Sequence, residues 1–281
     1  MMTRIAVLMT CYDRVQVTLK CLERLYAQPL PSGCTMDVWL VDDASPDGTG
    51  DKVREAFDTV HVIRSKGGLF WCKGMRLAWD SAVAYATSND FAYDYYLWLN
   101  DDVMLVPDAL GALLADAEAL RGSRFVLVGT MSEDGLDGKL AYGCHHGAAV
   151  VPPNGAPQLV HGYSMSGNLV LVPKDVYEAV GPIYGGYHHA FGDSDYGFLI
   201  ERNGIGMYCA SKVLGVCPQV PERYIHLDGK TLFQRIKTLY EPKGFNLHDT
   251  FFFRYRNWGL VRAIASCCHV ILRVIIFYKG Y

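Results

Sequence analysis

Tyr95-Tyr96-Leu97-Trp98-Leu99-Asn100-Asp101-Asp102 is a run of five apolar or aromatic residues that stops abruptly at three polar ones. A short run without polar alternation predicts a strand buried on both faces, the kind a parallel sheet requires. Its polar end then falls at the carboxyl edge of the sheet, where open α/β folds bind ligands.

Working outward, apolar runs alternate with amphipathic stretches of helical length, which predicts βαβ units around a mostly parallel central sheet flanked by helices. Toward the N-terminus the pattern predicts strands over 5–9, 37–41 and 60–63 and helices over 15–27, 50–57 and 75–86. Beyond the quoted stretch it predicts a helix over 109–120, opened by Pro107-Asp108, and a strand over 125–128. Residues 132–162 are richer in Gly, Pro and His and lack periodicity, so irregular strands and loops covering a site are expected. Strands over 168–172 and 205–209 and helices over 175–179 and 194–203 complete the set.

With 281 residues, 51% of them hydrophobic, the chain can bury a sizeable core. A formal charge of -3 carries no electrostatic footprint for DNA or RNA, and nucleic acid is excluded as an expected partner. Nine cysteines, an odd number with no CxxC pair, fit neither a disulfide framework nor a zinc ribbon. The apolar run 5–9 is too short for a signal-peptide core, so a cytoplasmic location is expected.

After Asp249 no acidic residue follows, while Arg254, Arg256, Arg262, Arg273 and Lys279 punctuate an aromatic and aliphatic run. Arg262 and Arg273 are spaced to share one helix face. The apolar gap between them falls short of the roughly 20 residues of a spanning helix. An amphipathic helix lying on an anionic membrane surface is the expectation, with docking against the core as the other reading.

The strand ends carry the chemistry. They are Thr10-Cys11-Tyr12-Asp13-Arg14, Asp42-Asp43-Ala44-Ser45-Pro46-Asp47-Gly48-Thr49 and Asn100-Asp101-Asp102. Carboxylates gathered at one sheet edge repel one another unless a cation or hydrogen-bond donors sit between them, and a divalent metal with a nucleotide meets that need. Asp, Ser and Gly also favour turns and helix caps on local grounds alone, so each segment taken singly has a structural reading too. There is no GxxxxGK[ST] and no GxGxxG, which disfavours ATPases and dinucleotide enzymes.

Six segments in order, IAVLMTCYDR, VDDASPDGT, GGLFWCKGMRLAWDSA, YLWLNDDVMLVPDAL, SGNLVLVPKDVYEAVG and HHAFGDSDYGFLIERNG, resemble the family 2 glycosyltransferases of the GT-A fold, in particular bacterial enzymes that build surface polysaccharide. They span 5–204. The resemblance implies a catalytic domain over 1–228, with a nucleotide-sugar half (1–130) and an acceptor half (131–228), and a helical extension over 229–281. It implies transfer, with inversion, of a sugar from a UDP- or dTDP-sugar to an oligosaccharide or lipid-linked acceptor on the inner face of the cell membrane.

It also implies roles for residues. Thr10, Tyr12, Arg14 and Asp43 surround the nucleotide, Asp43 accepting from a pyrimidine N3–H, while Trp71 and Lys73 contact the diphosphate or sugar. The family's Asp-x-Asp turn begins here with Asn100, which leaves Asp102 as the expected ligand of Mn²⁺ or Mg²⁺, assisted by Asp101 and by His226. Asp193 is the expected general base, Asp195 its partner, and Gly167, Asn168 and His189 are expected on the acceptor side. Asp193 before a helix also fits plain capping. The family often places an Arg where this chain has Leu199, so the ion pair to the acidic motif is expected to be absent or supplied by Arg202. Asn100 and Leu199 leave room for a nucleotide-sugar-binding protein without turnover, and the metal chemistry for a nucleotidyltransferase. The pairs His145-His146 and His188-His189 lack the spacing of a zinc site.

Overall fold

The computed structural model describes residues 2–218, 227 and 229–276. In chain order the elements are β1 (Thr3–Cys11), α1 (Val15–Tyr26), β2 (Cys34–Asp42), α2 (Thr49–Ala56), β3 (Val60–Arg64), α3 (Phe70–Ser88), β4 (Tyr95–Leu99) and β5 (Met104–Leu105). Then come α4 (Ala109–Ala119), β6 (Phe125–Ser132), β7 (Leu140–Tyr142), β8 (His145–His146), β9 (Ala149–Val150), β10 (Gln158–Leu159), β11 (Leu169–Pro173), α5 (Lys174–Val180), α6 (Gly192–Arg202) and β12 (Gly206–Val216). Three helices follow: α7 (Leu232–Lys237), α8 (Leu247–Trp258) and α9 (Leu260–Ile275).

The main sheet has the order β10-β12-β6-β11-β4-β1-β2-β3. Strands β4, β1, β2 and β3 are parallel, and β11 runs antiparallel between β4 and β6. The sheet therefore passes without a break through the donor and acceptor halves expected from the resemblance.

β1 shows why both faces are covered. Side chains alternate across a strand, and Ile5, Val7 and Met9 enter the core under α1 and α4, while Ala6 and Leu8 enter the core under α3. α1 buries Thr18, Cys21, Leu22 and Leu25, the spacing of one helix face.

α3 begins at Phe70, five residues before the start expected from its periodicity. The cause is distant in sequence. The Asp43 carboxylate accepts from the amides of Leu69 (3.0 Å) and Phe70 (2.9 Å), capping the helix from the end of β2. β12 likewise runs past the expected 205–209, because its partners β6 and β5 continue alongside it to Val216.

The extension is not a separate appendage. α8 buries Phe253 against Tyr187, Phe191, Phe198 and Trp258. α9 folds back on α8 after Gly259, whose φ of +84° breaks the helix. Ala263 and Val274 face inward, whereas Leu260, Val261, Ile264, Leu272, Ile275 and Ile276 stay exposed. Among the described residues no helix is long and apolar enough to cross a membrane.

Candidate active site

The carboxyl ends of β1, β2 and β4 open into one cavity of about 850 Å³. Thr10, Tyr12, Arg14 and Asp43 line it, together with Trp71, Asn100, Asp101 and Asp102. Gly167, Asn168, His189 and Asp193 line the same cavity. Twelve residues read from separate segments of sequence thus meet in one place. Lys73 does not line this cavity. His226 lies outside the described residues.

In the turn after β2, Asp42 accepts from the Ser45 amide (2.9 Å), and Asp47 accepts from the amides of Val15 and Thr49. These two carboxylates hold loops, as the local reading of the segment allows. Asp43 lines the cavity but also fastens the far side of it, through Leu69, Phe70 and the Ser65 hydroxyl (2.7 Å). Phe70 has a φ of +54° and Phe191 of +70°, left-handed conformations costly for aromatic residues, and both flank the cavity.

The acidic turn divides its labour. Asp101 is 1% exposed, and its oxygens take the Thr18 hydroxyl (2.9 Å) and the Arg14 guanidinium (2.9 Å). Burial pushes its pKa up to about 6 against the lowering pull of Arg14. Expected as a second metal ligand and donor-sugar contact, Asp101 lines the cavity and also anchors the turn, each of its oxygens taking one donor from the protein. Asp102 is 20% exposed at its side chain; one oxygen meets Arg14 (3.0 Å) and the other only the Cys217 thiol (3.6 Å). That second oxygen, a hard ligand on a residue that lines the cavity, fits a divalent ion that draws its remaining ligands from phosphate and water. Arg14, placed among nucleotide contacts by the resemblance, is occupied in bridging the two carboxylates.

Asn100 accepts from the indole N–H of Trp71 (2.8 Å) and so fixes that ring, which lines the cavity. Gly167 must lack a side chain, since a Cβ there would sit 2.6 Å from the same ring.

Asp193 opens α6. Its carboxylate accepts from the amides of Ser194 (2.7 Å) and Gly167 (3.2 Å). Burial raises its pKa, opposed by those two amides. The result is an oriented carboxylate that holds a proton more readily than an ordinary one, the property of a general base.

Asp195, the runner-up for the base and expected rather to orient the site, does not line the cavity. It is 2% exposed and accepts from Tyr187 Oη (3.0 Å), Arg256 Nη2 (3.1 Å) and Asn257 Nδ2 (2.8 Å). The ion pair to the acidic motif is therefore present, but α8 supplies it. Arg202, the expected donor, binds the Arg256 carbonyl (3.2 Å) and the Asn257 side chain instead.

A second bond set joins α8 to the site. The fully buried Asp249 accepts from the backbone of His188 (3.0 Å) and from its Nδ1 (2.8 Å), holding the loop that leads to Asp193. Pro242-Lys243-Gly244 reaches the cavity from the same C-terminal region. Sequence reading gives Arg256 and Asn257 no derivable role and does not single out Asp249 or Lys243 for the site; the absence of acidic residues after Asp249 is the signal that this region has its own task.

Residues 6–137 match the family described as Glycosyl transferase family 2. Over this segment, just under half of the chain, the sequence is similar to family 2 glycosyltransferases. No curated relative matches the chain significantly. Among solved structures, residues 1–349 of TarS from S. aureus resemble it with a TM-score of 0.57 at 13% identity, covering 98% of this chain and 81% of that one. The mannosyltransferase PcManGT from Pyrobaculum calidifontis, in complex with GDP-Man and Mn²⁺, has a TM-score of 0.56 at 17% identity, covering 96% and 76%. TarS 1–349 in complex with UDP-GlcNAc gives 0.58 at 13%, covering 98% and 82%. The fold is GT-A, and together with the family 2 match it supports a role in glycosyl transfer.

Proposed function

We propose that this GT-A chain transfers a sugar, with inversion, from a UDP- or dTDP-sugar to a hydroxyl of a lipid-linked oligosaccharide at the inner face of the cell membrane. The observation that carries the reading is that Asp102 and Asp193, a carboxylate with an open oxygen and one of raised basicity, line the same nucleotide-sized cavity. The fold and the donors bound by PcManGT and TarS support it.

In this reading the base and ribose lie against Tyr12, Thr10 and Asp43, the last still offering a lone pair to a pyrimidine N–H. Asp102 holds a divalent ion, which when bound supplies positive charge to the leaving diphosphate. Lys243 assists there, in the place expected of Lys73, since it is the lysine that reaches the cavity. The acceptor hydroxyl approaches between Gly167, Asn168 and His189. Asp193 takes its proton as the oxygen attacks the anomeric carbon from the face opposite the phosphate. Arg256 and Asn257, acting on Asp195, hold the helix that carries this base.

The test is a panel of UDP-, dTDP- and GDP-sugars with Mn²⁺ or Mg²⁺, read by released nucleotide. Metal-dependent release from a UDP- or dTDP-sugar is expected. Binding without release would favour a non-catalytic binding protein, and no binding of any member would overturn the proposal.

A further inference from the structure

α8 and α9 enclose a second groove, of about 590 Å³, that shares Ala190, Phe191 and Gly244 with the donor cavity. The two spaces thus adjoin at the loop two residues before Asp193. The groove wall contains Arg254, Arg262 and His269 and no carboxylate. Neither arginine forms an ion pair among the described residues, and the Arg254 guanidinium lies 4.8 Å from the centre of the Trp258 ring. Two guanidiniums without carboxylate partners in one groove make a site for an anion, and their planar forks suit phosphate oxygens. The helix that supplies Arg262 also presents the exposed stripe Leu260, Val261, Ile264 and Leu272.

From this arrangement we infer that the groove between α8 and α9 binds the phosphate or diphosphate group of an amphiphilic acceptor. The apolar chain of that acceptor runs along the outer stripe of α9, and its sugar enters the donor cavity past Phe191 and Gly244. The inference rests on the proposed sugar transfer for the meaning of "acceptor", but the binding site has its own readout. An anionic groove occupant, an apolar path beside it and an opening onto the proposed base together specify a lipid-linked phosphate ester better than a free sugar.

The test uses the full chain in calorimetric titrations with geranyl diphosphate, inorganic pyrophosphate and geraniol, each run with and without saturating UDP and Mn²⁺. Geranyl diphosphate is expected to bind one site at least ten-fold more tightly than either fragment, and to do so in the presence of UDP. Arg262→Gln and the double variant Arg254→Gln/Arg262→Gln, melting at the wild-type temperature, are expected to weaken it at least ten-fold. Unchanged affinity in both variants overturns the inference. Equal affinity for pyrophosphate points to a free anion as occupant, and displacement by UDP to binding in the donor cavity; either result also overturns it. If UDP fails to bind, the sugar-transfer reading fails, while the titrations without UDP still decide the groove.

Discussion

Arg256 on α8 and Asp195 on α6 lie 3.1 Å apart, and this ion pair joins the C-terminal helices to the helix that carries Asp193. The carboxylate is 3% exposed and the guanidinium 33%. Removing the cation strands a buried charge, at a cost of about 2–4 kcal/mol once the partial exposure of Arg256 is discounted. Arg256→Ala is therefore expected to lower the melting temperature and to reduce turnover together, with Arg256→Lys restoring part of both. Thermal melts and nucleotide release measured on the same preparations check it; full turnover in Arg256→Ala would dissociate α8 from the site.

Asp193→Asn keeps the shape of the side chain and removes the base. Donor binding should survive, with turnover reduced roughly 10²–10⁴-fold. The wild-type pH profile carries a second check. Only ionised Asp193 accepts a proton, and burial raises its pKa, so turnover should fall on acidification at a pH above the ordinary carboxylate value of about 4. That acid limb should be missing from the residual activity of the variant.

The two aspartates of the turn should part company. Asp102→Asn is expected to weaken Mn²⁺ binding at least ten-fold with little change in melting temperature. Asp101→Asn acts on stability and its pH dependence. A buried acid whose folded pKa is about 6 binds protons more tightly than the unfolded chain, so its contribution to stability grows as pH falls from about 6 toward 4. The substitution should remove that contribution from a series of melts across this range. A loss of Mn²⁺ affinity in Asp101→Asn equal to that in Asp102→Asn would contradict the division.

Gly167→Ala places a methyl group against Trp71, whose ring is already held by Asn100. Overpacking of this kind costs about 1–3 kcal/mol. It should also shift tryptophan fluorescence and raise the donor KM, because the ring lines the cavity.

Deleting residues 258–281 removes α9 and leaves Arg256 and Asn257 in place. If the exposed stripe of α9 holds the chain on anionic membranes, sedimentation with such vesicles should be abolished. Retained sedimentation would place the contact elsewhere.

Much of this was legible in the chain because the informative signals are local. The run before Asn100 announces β4 with its observed bounds, and the polar ends of β1, β2 and β4 converge because strands in a parallel sheet share one carboxyl edge. The cap that Asp43 gives α3 was not legible, since it depends on a carboxylate 26 residues before Leu69 and leaves no periodic trace. Arg256 was visible as one cation in a basic tail. Its partner Asp195 lies 61 residues earlier, and nothing in either segment specifies the pairing. The same holds for Lys243, which lies between α7 and α8 in sequence and lines the cavity.

Because the pair to Asp195 comes from residues 256 and 257, the order of synthesis bears on when the site matures. A nascent chain that has emerged only through α6 and β12 already holds every strand of the main sheet, yet Asp195 still lacks its cationic partner. In the proposed reading, competence therefore waits until α8 has left the ribosome.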